Sequence, residues 1–359
     1  MVINKSRLLQ TLYELVEIDS PSGDEEAVAI KLKGLLVGLG VDADLDSYGN
    51  LVGRFGSGNP ILLSAHMDTV EPGRGIKPQI DGDRVISNGT TILGGDCKAG
   101  IAAIIEGITS LSEEGVSPKP FEIAFTRQEE IGLVGARNLD FSKLTAKEAI
   151  VFDGEGPVTQ ITSSSPTHVR FEIAVTGRAA HAGVEPEKGV SAIRVCSELV
   201  VRLPQGRLDD STTFNIGVIE GGSVTNAVPE KANLKGEFRS HNKDTLSDIT
   251  DILTKVSQEV RDIYPEAIID LELYPQFQAY SVMEGDLGID RVVDAMGKLG
   301  LTHTLLPSGG GTDGNIFRLN GISAAVVGMA DHNAHTTREY VSIPELVDAA
   351  RLCEQLLKV

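Results

Sequence analysis

The spacing of apolar residues predicts that helices and strands alternate in the first part of the chain. Apolar positions at helical spacing indicate helices, and near-continuous apolar runs are typical of strands that are buried on both faces. The predicted elements are helices over 5–17, 25–38 and 98–114 and strands over 61–65, 121–126 and 149–152. Strands that alternate with helices in this way favour an α/β fold with a doubly wound, mainly parallel sheet.

The pattern changes near Pro166, where the next strand alternates between apolar and polar positions. The elements predicted from there are a strand over 167–176, a helix over 189–203, strands over 212–219 and 232–238, a helix over 244–263 and a strand over 267–273. This βαββαβ order is the ferredoxin-like plan. The α/β rhythm then returns, with helices near 284–298 and 344–358 and strands near 303–306 and 322–328. The sequence therefore predicts an α+β unit, residues 166–274, inserted into an α/β domain formed by residues 1–165 and 275–359.

The length, charge and cysteine content narrow the class of protein. A chain of 359 residues fits two domains, and its formal net charge of −19 argues against nucleic acid and anionic membranes as partners, because both require clustered Lys and Arg. The three cysteines show no pairing pattern, which fits a reducing compartment. The first helix carries acidic residues unlike a signal peptide, and no apolar run is long enough to span a bilayer, so we expect a cytoplasmic protein.

Acidic and imidazole side chains stand where apolar stretches of the chain end. They are His66, Asp96, Glu129, Glu130, Asp153 and His335. The carboxyl ends of parallel strands form the crevice in which an open α/β sheet binds its ligands. Two imidazoles and several carboxylates in that crevice suit hard-to-borderline divalent cations and are too many for one ion. This pattern predicts a two-metal hydrolase.

Two of these motifs allow more than one interpretation. If residues 66–68 stay extended, Asp68 shares a face with His66 and can accept its second ring N–H, as metal-bound histidines usually require. The alternative is a surface turn after a strand. Asp96 precedes a predicted helix, so it suits an N-cap as well as a metal site. Its neighbour Cys97 offers a thiolate as a less favoured ligand.

The remaining motifs are equally open when each is taken alone. Of the paired Glu129 and Glu130, one can bind metal while the other transfers protons, although most such pairs lie in solvated loops. In the later loop His332 and His335 could both bind a metal, or one of them could be a loop residue, and their spacing does not choose between these possibilities. The glycine-rich segment 309–314 lacks the Gly-Lys-Ser/Thr end of a phosphate-binding loop. It is the joint occurrence of these motifs that favours a metal site.

Together the motifs resemble the M20 family of metallopeptidases, most closely its peptidase T-like aminotripeptidases. The resemblance covers almost the whole chain and is carried by residues 64–70, 94–100, 128–136 and 335–339. The Glu-Glu-Ile-Gly-Leu segment also resembles the M42 aminopeptidases, but Asp96-Cys97-Lys98 matches the M20 bridging motif better. Peptidase T itself carries an arginine just ahead of the glycine loop, where this chain has Ser308.

The resemblance implies a role for each candidate residue. Asp96 would bridge two zinc ions, with Co²⁺ or Mn²⁺ as alternatives. His66 and Asp153 would complete one metal site, Glu130 and His335 would complete the other, Glu129 would be the general base, and Asp68 would be the partner of His66.

The resemblance also assigns functions to the inserted unit. This unit would form a lid and a homodimer interface, and His181 would reach into the active site of the partner chain. Asn226 and Arg239 match substrate-binding positions on the same unit, and we expect Arg239 to hold the terminal carboxylate of the substrate by a bidentate contact. Gly310 and Thr312 belong to a loop that lies near the substrate carboxylate in the family.

The expected activity is the release of the N-terminal residue from short peptides, by a water molecule that Glu129 activates. A carboxypeptidase or an N-acyl amino acid deacylase of the same superfamily is the alternative, and these enzymes differ in which end of the substrate must be free. A more remote alternative is a relative that binds metal without catalysis.

Overall fold

The computed structural model describes residues 3–283 and 285–358 of the chain. The chain divides into two compact units, one made of Met1–Ser164, Ser281–Ser308 and Thr312–Val359 and the other of Ser165–Tyr280 and Gly309–Gly311. Within the described residues, no helix combines the length and the apolar character needed to cross a membrane.

The helices and strands follow one another in three stretches. The first comprises α1 (Lys5–Val16), α2 (Glu26–Gly38), β1 (Asp42–Leu45), β2 (Leu51–Phe55), β3 (Ile61–His66), β4 (Gln79–Asp81), β5 (Arg84–Ile86), α3 (Gly95–Glu113), β6 (Phe121–Thr126), α4 (Val134–Arg137), β7 (Glu148–Gly154) and β8 (Gln160–Ser165). The second comprises β9 (Thr167–Thr176), β10 (Ala180–His181), α5 (Ala192–Arg202), β11 (Gly206–Asp209), β12 (Thr212–Gly221), β13 (Ala227–Val228), β14 (Lys231–Ser240), α6 (Lys243–Ile263), β15 (Ile268–Phe277) and β16 (Tyr280–Ser281). The third comprises α7 (Leu287–Lys298), β17 (Thr304–Pro307), α8 (Asp313–Leu319), β18 (Ser323–Gly328), β19 (Asp331–His332), β20 (Tyr340–Ser342) and α9 (Ile343–Leu357).

The first unit is built on a large, mainly parallel sheet. Its strand order runs β1-β2-β6-β3-β7-β18-β8. β3 lies parallel to both β6 and β7, and β18 lies parallel to β7, whereas β1 and β2 are antiparallel at one edge. His66 at the end of β3 is in register with Thr126 at the end of β6. The carboxyl ends of these central strands therefore meet at one edge of the sheet.

Alternate residues of the central strands point into two separate hydrophobic cores. Leu63 belongs to a core that includes side chains from α1, α2, α3, α7 and α9, whereas Leu62 packs in a second core with Phe317 of α8. Since successive side chains of a strand point to opposite faces, helices cover both faces of the sheet. The predicted doubly wound, mainly parallel α/β fold is confirmed.

The second unit contains an antiparallel sheet with the order β11-β12-β14-β9-β15. Its core includes Phe171, Phe214 and Phe238, whose ring centroids lie 5.1–6.4 Å apart, and apolar residues of α5 and α6. Apart from the short strands β10, β11 and β13, the elements follow the order βαββαβ, so the ferredoxin-like plan is confirmed.

The structure departs from the sequence-based expectation at several places. No strand leads directly into Asp96, because residues 87–94 form a loop. Four short strands form a small additional sheet with the order β19-β20-β5-β4. The glycine loop also leads directly into α8, which starts at Asp313. This helix was not predicted, because the preceding glycines favoured a loop. The predicted helix start at residue 284 lies outside the described residues, and α7 begins at Leu287.

Candidate active site

His66 is the last residue of β3 and is only 2% exposed. Its ring Nδ1–H donates to the backbone carbonyl of Asp68 at 2.9 Å, while the Asp68 carboxylate lies 3.6 Å from the same nitrogen. The expectation that the carboxylate would accept this N–H is therefore corrected, since the main chain of the same residue is the closer acceptor. The bond leaves Nε2 as the nitrogen available to a metal, and it lies 3.0 Å from Asp96 Oδ1 and 3.4 Å from Asp153 Oδ1.

Asp96 stands in the first turn of α3, behind Gly94, whose φ of +71° requires the conformational freedom of glycine. Asp96 (φ −74°, ψ 108°) and Cys97 have non-helical backbone angles at a kink inside this span, so the regular helix begins after them and the backbone of Asp96 is extended, as in an N-cap residue. The Asp96 carboxylate instead lies between two imidazoles, with His66 Nε2 at 3.0 Å and His335 Nε2 at 3.3 Å. This position between both histidines is the geometry that a bridging ligand requires.

Glu129 and Glu130 lie in the turn that follows β6. The backbone N–H of Glu129 donates to Asp68 Oδ1 at 2.9 Å, and that of Glu130 donates to Asp68 Oδ2 at 3.3 Å. The Glu130 carboxylate lies 3.0 Å from His335 Nε2, whereas the Glu129 side chain is buried. The Asp68 carboxylate therefore orders the turn that carries both glutamates, which is a role the sequence did not indicate.

The candidate ligands form two groups that share Asp96. In the first group ligand atoms of His66, Asp96, Cys97 and Asp153 all lie within 4.8 Å of one another, and in the second those of Asp96, Glu130 and His335 do so. Cys97 is the least suitable member, because its Sγ–H donates to the Phe152 carbonyl at 2.7 Å and burial raises the pKa of the thiol.

The structure also distinguishes between the two histidines of the later loop. His332 Nε2 lies 2.6 Å from Glu345 Oε2 of α9, and its ring stacks on Tyr340. His335 instead reaches both Asp96 and Glu130. Of the two, His335 is therefore the one placed to bind a metal.

Burial and mutual repulsion govern the protonation of this cluster. Burial, followed by the charge of Asp96, raises the pKa of Glu130 to about 7. Burial and the charge of Asp153 raise the pKa of Glu129 well above its usual range. Hydrogen bonds to Asp96 and Glu130 raise the pKa of His335 to about 10. The cluster thus contains carboxylates that resist simultaneous ionisation, as expected for acidic groups crowded together out of water.

Two acidic residues that sequence reasoning did not single out support the site. The Glu339 carboxylate accepts the backbone N–H groups of Leu93, Gly94 and Asp96 at 2.7, 2.9 and 3.1 Å, so it orders the turn that presents Asp96. Asp313 is buried at the start of α8, where it accepts the hydroxyl hydrogen of Thr126, and burial raises its pKa to about 7. Both residues lie in or beside segments that the sequence analysis identified, which was the available signal for them. Their spacing, however, did not distinguish them from ordinary loop residues.

The remaining candidates lie mostly in the second unit. His181 is an exposed residue of β10, and its Nδ1 accepts the backbone N–H of Gly183 at 3.1 Å. The backbone carbonyl of Asn226 accepts the N–H of Ala182 at 3.0 Å, which brings Asn226 beside His181. These two predicted residues are therefore neighbours within their own unit.

Arg239 is engaged within the second unit. Its Nε and Nη2 donate to the Glu237 carboxylate at 3.1 and 3.2 Å, and its Nη1 donates to the Gly309 carbonyl at 3.3 Å. The His168 Nε2 atom lies 2.8 Å from the same Glu237 carboxylate, whose pKa falls to about 2, first because of the His168 hydrogen bond. The two-nitrogen edge of Arg239 that was expected to hold a substrate carboxylate is thus occupied by Glu237.

The glycine-rich segment contributes the last two candidates, one to each unit. The Gly310 carbonyl accepts the hydroxyl hydrogen of Ser165 at 2.8 Å. Thr312 is the N-cap of α8, because its Oγ1 accepts the N–H of Gly314 and its own N–H donates to Asn315 Oδ1. The Thr312 side chain therefore has a structural partner in the helix that it caps.

The chain is similar to known peptidases in sequence and fold. The chain matches the family models of the M20 peptidase dimerisation domain over residues 164–267 and of peptidase family M28 over residues 50–160. It is 36% identical to the protein YqjE of Bacillus subtilis (strain 168), and the match covers 99% of both chains. Among solved structures, it is similar to aminopeptidase PepT from Bacillus cereus ATCC 10987, with 34% identity, a TM-score of 0.84 and coverage of 99% of this chain and 98% of that one. It is also similar to a tripeptidase from Staphylococcus aureus, with 31% identity, a TM-score of 0.89 and the same coverage.

Proposed function

The chain belongs to the M20 family of peptidases, and from this premise we propose that it is a two-metal aminopeptidase that releases the N-terminal residue of short peptides. The observation that carries the proposal is the pair of ligand groups that share Asp96, with the buried Glu129 carboxyl group held in the turn beside them. The length of the match to an aminopeptidase and a tripeptidase supports the choice of short peptides as substrates.

The donor atoms of the cluster fit two divalent cations. Each group supplies one imidazole nitrogen and carboxylate oxygens, which is a donor set that zinc binds and that Co²⁺ and Mn²⁺ also accept. Burial and the charge of Asp96 raise the pKa of Glu130, and this repulsion would be offset by positive ions. His66 and Asp153 would complete one site, Glu130 and His335 would complete the other, and Asp96 would serve both.

When bound, the two cations would lower the pKa of a water molecule and polarise the peptide carbonyl. Glu129 would accept the proton of that water and deliver it to the leaving amine, and its burial suits a group that holds a proton between these two steps. Asp68 would keep Glu129 in place through the backbone N–H that it accepts.

The second unit would complete the enzyme. Its match to the peptidase dimerisation domain supports a homodimer, in which His181 would stabilise the oxyanion that forms during attack. Asn226, Arg239 and the 309–314 loop would contact the peptide. For Arg239 to bind a substrate carboxylate through its two-nitrogen edge, that carboxylate would have to replace Glu237.

The first test is metal removal. We expect the purified protein to hold two metal ions per chain, a chelator to abolish peptide hydrolysis, and zinc to restore it, because both ligand groups converge on Asp96. Elemental analysis alongside a peptide hydrolysis assay measures both quantities. Full activity in a protein stripped of metal would refute the two-metal mechanism.

The second test identifies the free end that the enzyme requires. An aminopeptidase should cleave a free tripeptide and spare the same tripeptide with an acetylated N-terminus, because acetylation removes the amine that it recognises. Chromatographic identification of the released amino acid separates the alternatives. Preferential cleavage of the acetylated peptide, or release of the C-terminal residue, would establish a deacylase or a carboxypeptidase instead.

A further inference from the structure

The turn after β6 is bound by side chains through four successive backbone N–H groups. The N–H of Arg127 donates to Asn50 Oδ1 at 3.2 Å, and the N–H of Gln128 donates to Glu25 Oε1 at 3.1 Å. The next two, of Glu129 and Glu130, donate to the two oxygens of Asp68. Residues 127–130 are called the base turn below, because they carry the proposed general base. Three distant segments of the chain therefore determine its conformation.

Glu25 belongs to this set, and no function so far accounts for it. Its side chain is 1% exposed, and its carboxylate accepts three hydrogen bonds and forms an ion pair with Arg127. Oε1 binds the backbone N–H of Gly23 at 2.7 Å and that of Gln128, while Oε2 binds Arg127 Nε at 2.9 Å and Nη2 at 2.7 Å. Arg127 in turn donates to the carbonyls of Tyr48 and Gly23, at 3.2 and 3.0 Å.

The backbone of the base turn needs these partners. Gln128 has a φ of +54°, in the left-handed region that residues with a Cβ rarely adopt. The N–H of Gln128 is held by Glu25 and its side-chain oxygen accepts the Tyr48 hydroxyl hydrogen, so both ends of this residue are fixed. Because Glu129 follows directly, a change of the Gln128 backbone would swing the Glu129 carboxyl group away from its place.

We propose that Glu25, through its paired contacts with Gln128 and Arg127, is a positioning residue for the catalytic base Glu129. This inference rests on the proposed function of Glu129. Glu25 does not touch the substrate or the reacting atoms in this proposal, and it acts by holding the backbone from which the base projects. Asp68 fixes the second half of the base turn, and Glu25 fixes the first half.

The test is Glu25→Gln in the metal-loaded enzyme. An amide keeps one acceptor oxygen but turns an NH₂ group toward either Arg127 or the two backbone N–H groups, so one set of contacts is lost. Because a misplacement of about 1 Å costs about 100-fold in rate, we expect kcat to fall by about that factor while KM and the two bound metal ions stay unchanged. Amide hydrogen exchange should also become faster at residues 127–130.

Glu122→Gln is the matched control. Glu122 is likewise 1% exposed and its carboxylate accepts Arg54 Nη1, the Thr145 hydroxyl hydrogen and the backbone N–H groups of Thr145 and Ala146, but it lies near the opposite end of β6. It should lose stability to a similar degree and keep its kcat. If Glu25→Gln lowers kcat no more than Glu122→Gln does, or if it loses bound metal, the positioning role is wrong.

Two further variants keep the outcome unambiguous. Should Glu25→Gln fail to fold, Arg127→Lys removes the two-nitrogen contact with Glu25 but retains the charge, and unchanged kcat in that variant overturns the inference. Glu129→Gln is assayed in parallel. Wild-type turnover of Glu129→Gln would refute the proposed base itself, whereas its loss together with normal kcat in Glu25→Gln would refute only the role of Glu25.

Discussion

Glu129→Gln should retain the fold and both metal ions while kcat falls by about 10²–10⁴-fold, the usual contribution of a general base. Glutamine has nearly the same shape as glutamate, and the Glu129 side chain is buried, so the packing around the site should persist. The amide cannot accept a proton from water at neutral pH, so the step that generates the nucleophile is lost. Steady-state kinetics on a free tripeptide and elemental analysis of the same sample measure both effects.

Glu130→Gln is the control that distinguishes a general base from a metal ligand. Glu130 is the adjacent residue on the same turn, but its carboxylate lies 3.0 Å from His335 Nε2 and belongs to the second ligand group. This variant should lose the metal of that group, whereas Glu129→Gln should not. If Glu129→Gln loses metal as Glu130→Gln does, Glu129 is a ligand and not the base, and if only Glu129→Gln loses metal, the roles of the two glutamates must be exchanged.

The strands and their carboxyl ends could be predicted because their signal is local. β3 and β6 are buried along their whole length, so the sequence shows them as apolar runs, and the position of His66 at the end of β3 follows from the run itself. Parallel order then brings such ends together whatever the loops between them do. Periodicity and topology therefore indicated that His66 should meet the acidic side chains at the ends of β6 and β7, but Asp96 follows a loop, and neither periodicity nor topology could choose His335 over His332.

The contacts that support those side chains could not be predicted, because they join distant segments through the backbone. Glu339 binds the N–H of Leu93 across 246 residues, and Glu25 binds that of Gln128 across 103. The residues around these two glutamates do not distinguish them from glutamates in solvated loops. The left-handed backbone conformation at Gln128 could not be predicted either, because the residue is not a glycine. Such contacts depend on the path of each loop, which the pattern of apolar residues does not specify.

The contact between Arg239 and Glu237 was likewise not predicted from the sequence. A bidentate contact with a substrate carboxylate was expected from the family resemblance, yet Glu237 lies two residues earlier on β14 and points to the same face of the strand. The ion pair is thus a consequence of strand geometry. It also means that any recognition of a substrate by this guanidinium must compete with a carboxylate of the protein itself.

Gly100→Ala should displace the proposed metal ligands from one another without changing any of the ligand side chains. A Cβ at this position of α3 would lie 2.3 Å from the carbonyl oxygen of Phe152 and 2.8 Å from its Cβ, so α3 and β7 could not keep their present separation. Asp96 lies four residues before Gly100, and Asp153 directly follows Phe152. Relief of the clash by a shift of about 1 Å would draw Asp96 away from Asp153 and His66, which should lower kcat/KM by about 100-fold and weaken metal binding.

The free energy of unfolding of Gly100→Ala, compared with that of a control variant, distinguishes the effect of this close contact from the general effect of placing alanine in a helix. Overpacking at Gly100 should cost about 1–3 kcal/mol. Gly34 in α2 has no atom within 4 Å of an added Cβ, so Gly34→Ala should instead gain up to about 1 kcal/mol from helix propensity and leave metal binding unchanged. Thermal unfolding with metal titration of both variants tests the pair. Wild-type metal affinity and activity in Gly100→Ala would show that the close approach of α3 to β7 does not determine the position of Asp96 relative to the other proposed ligands.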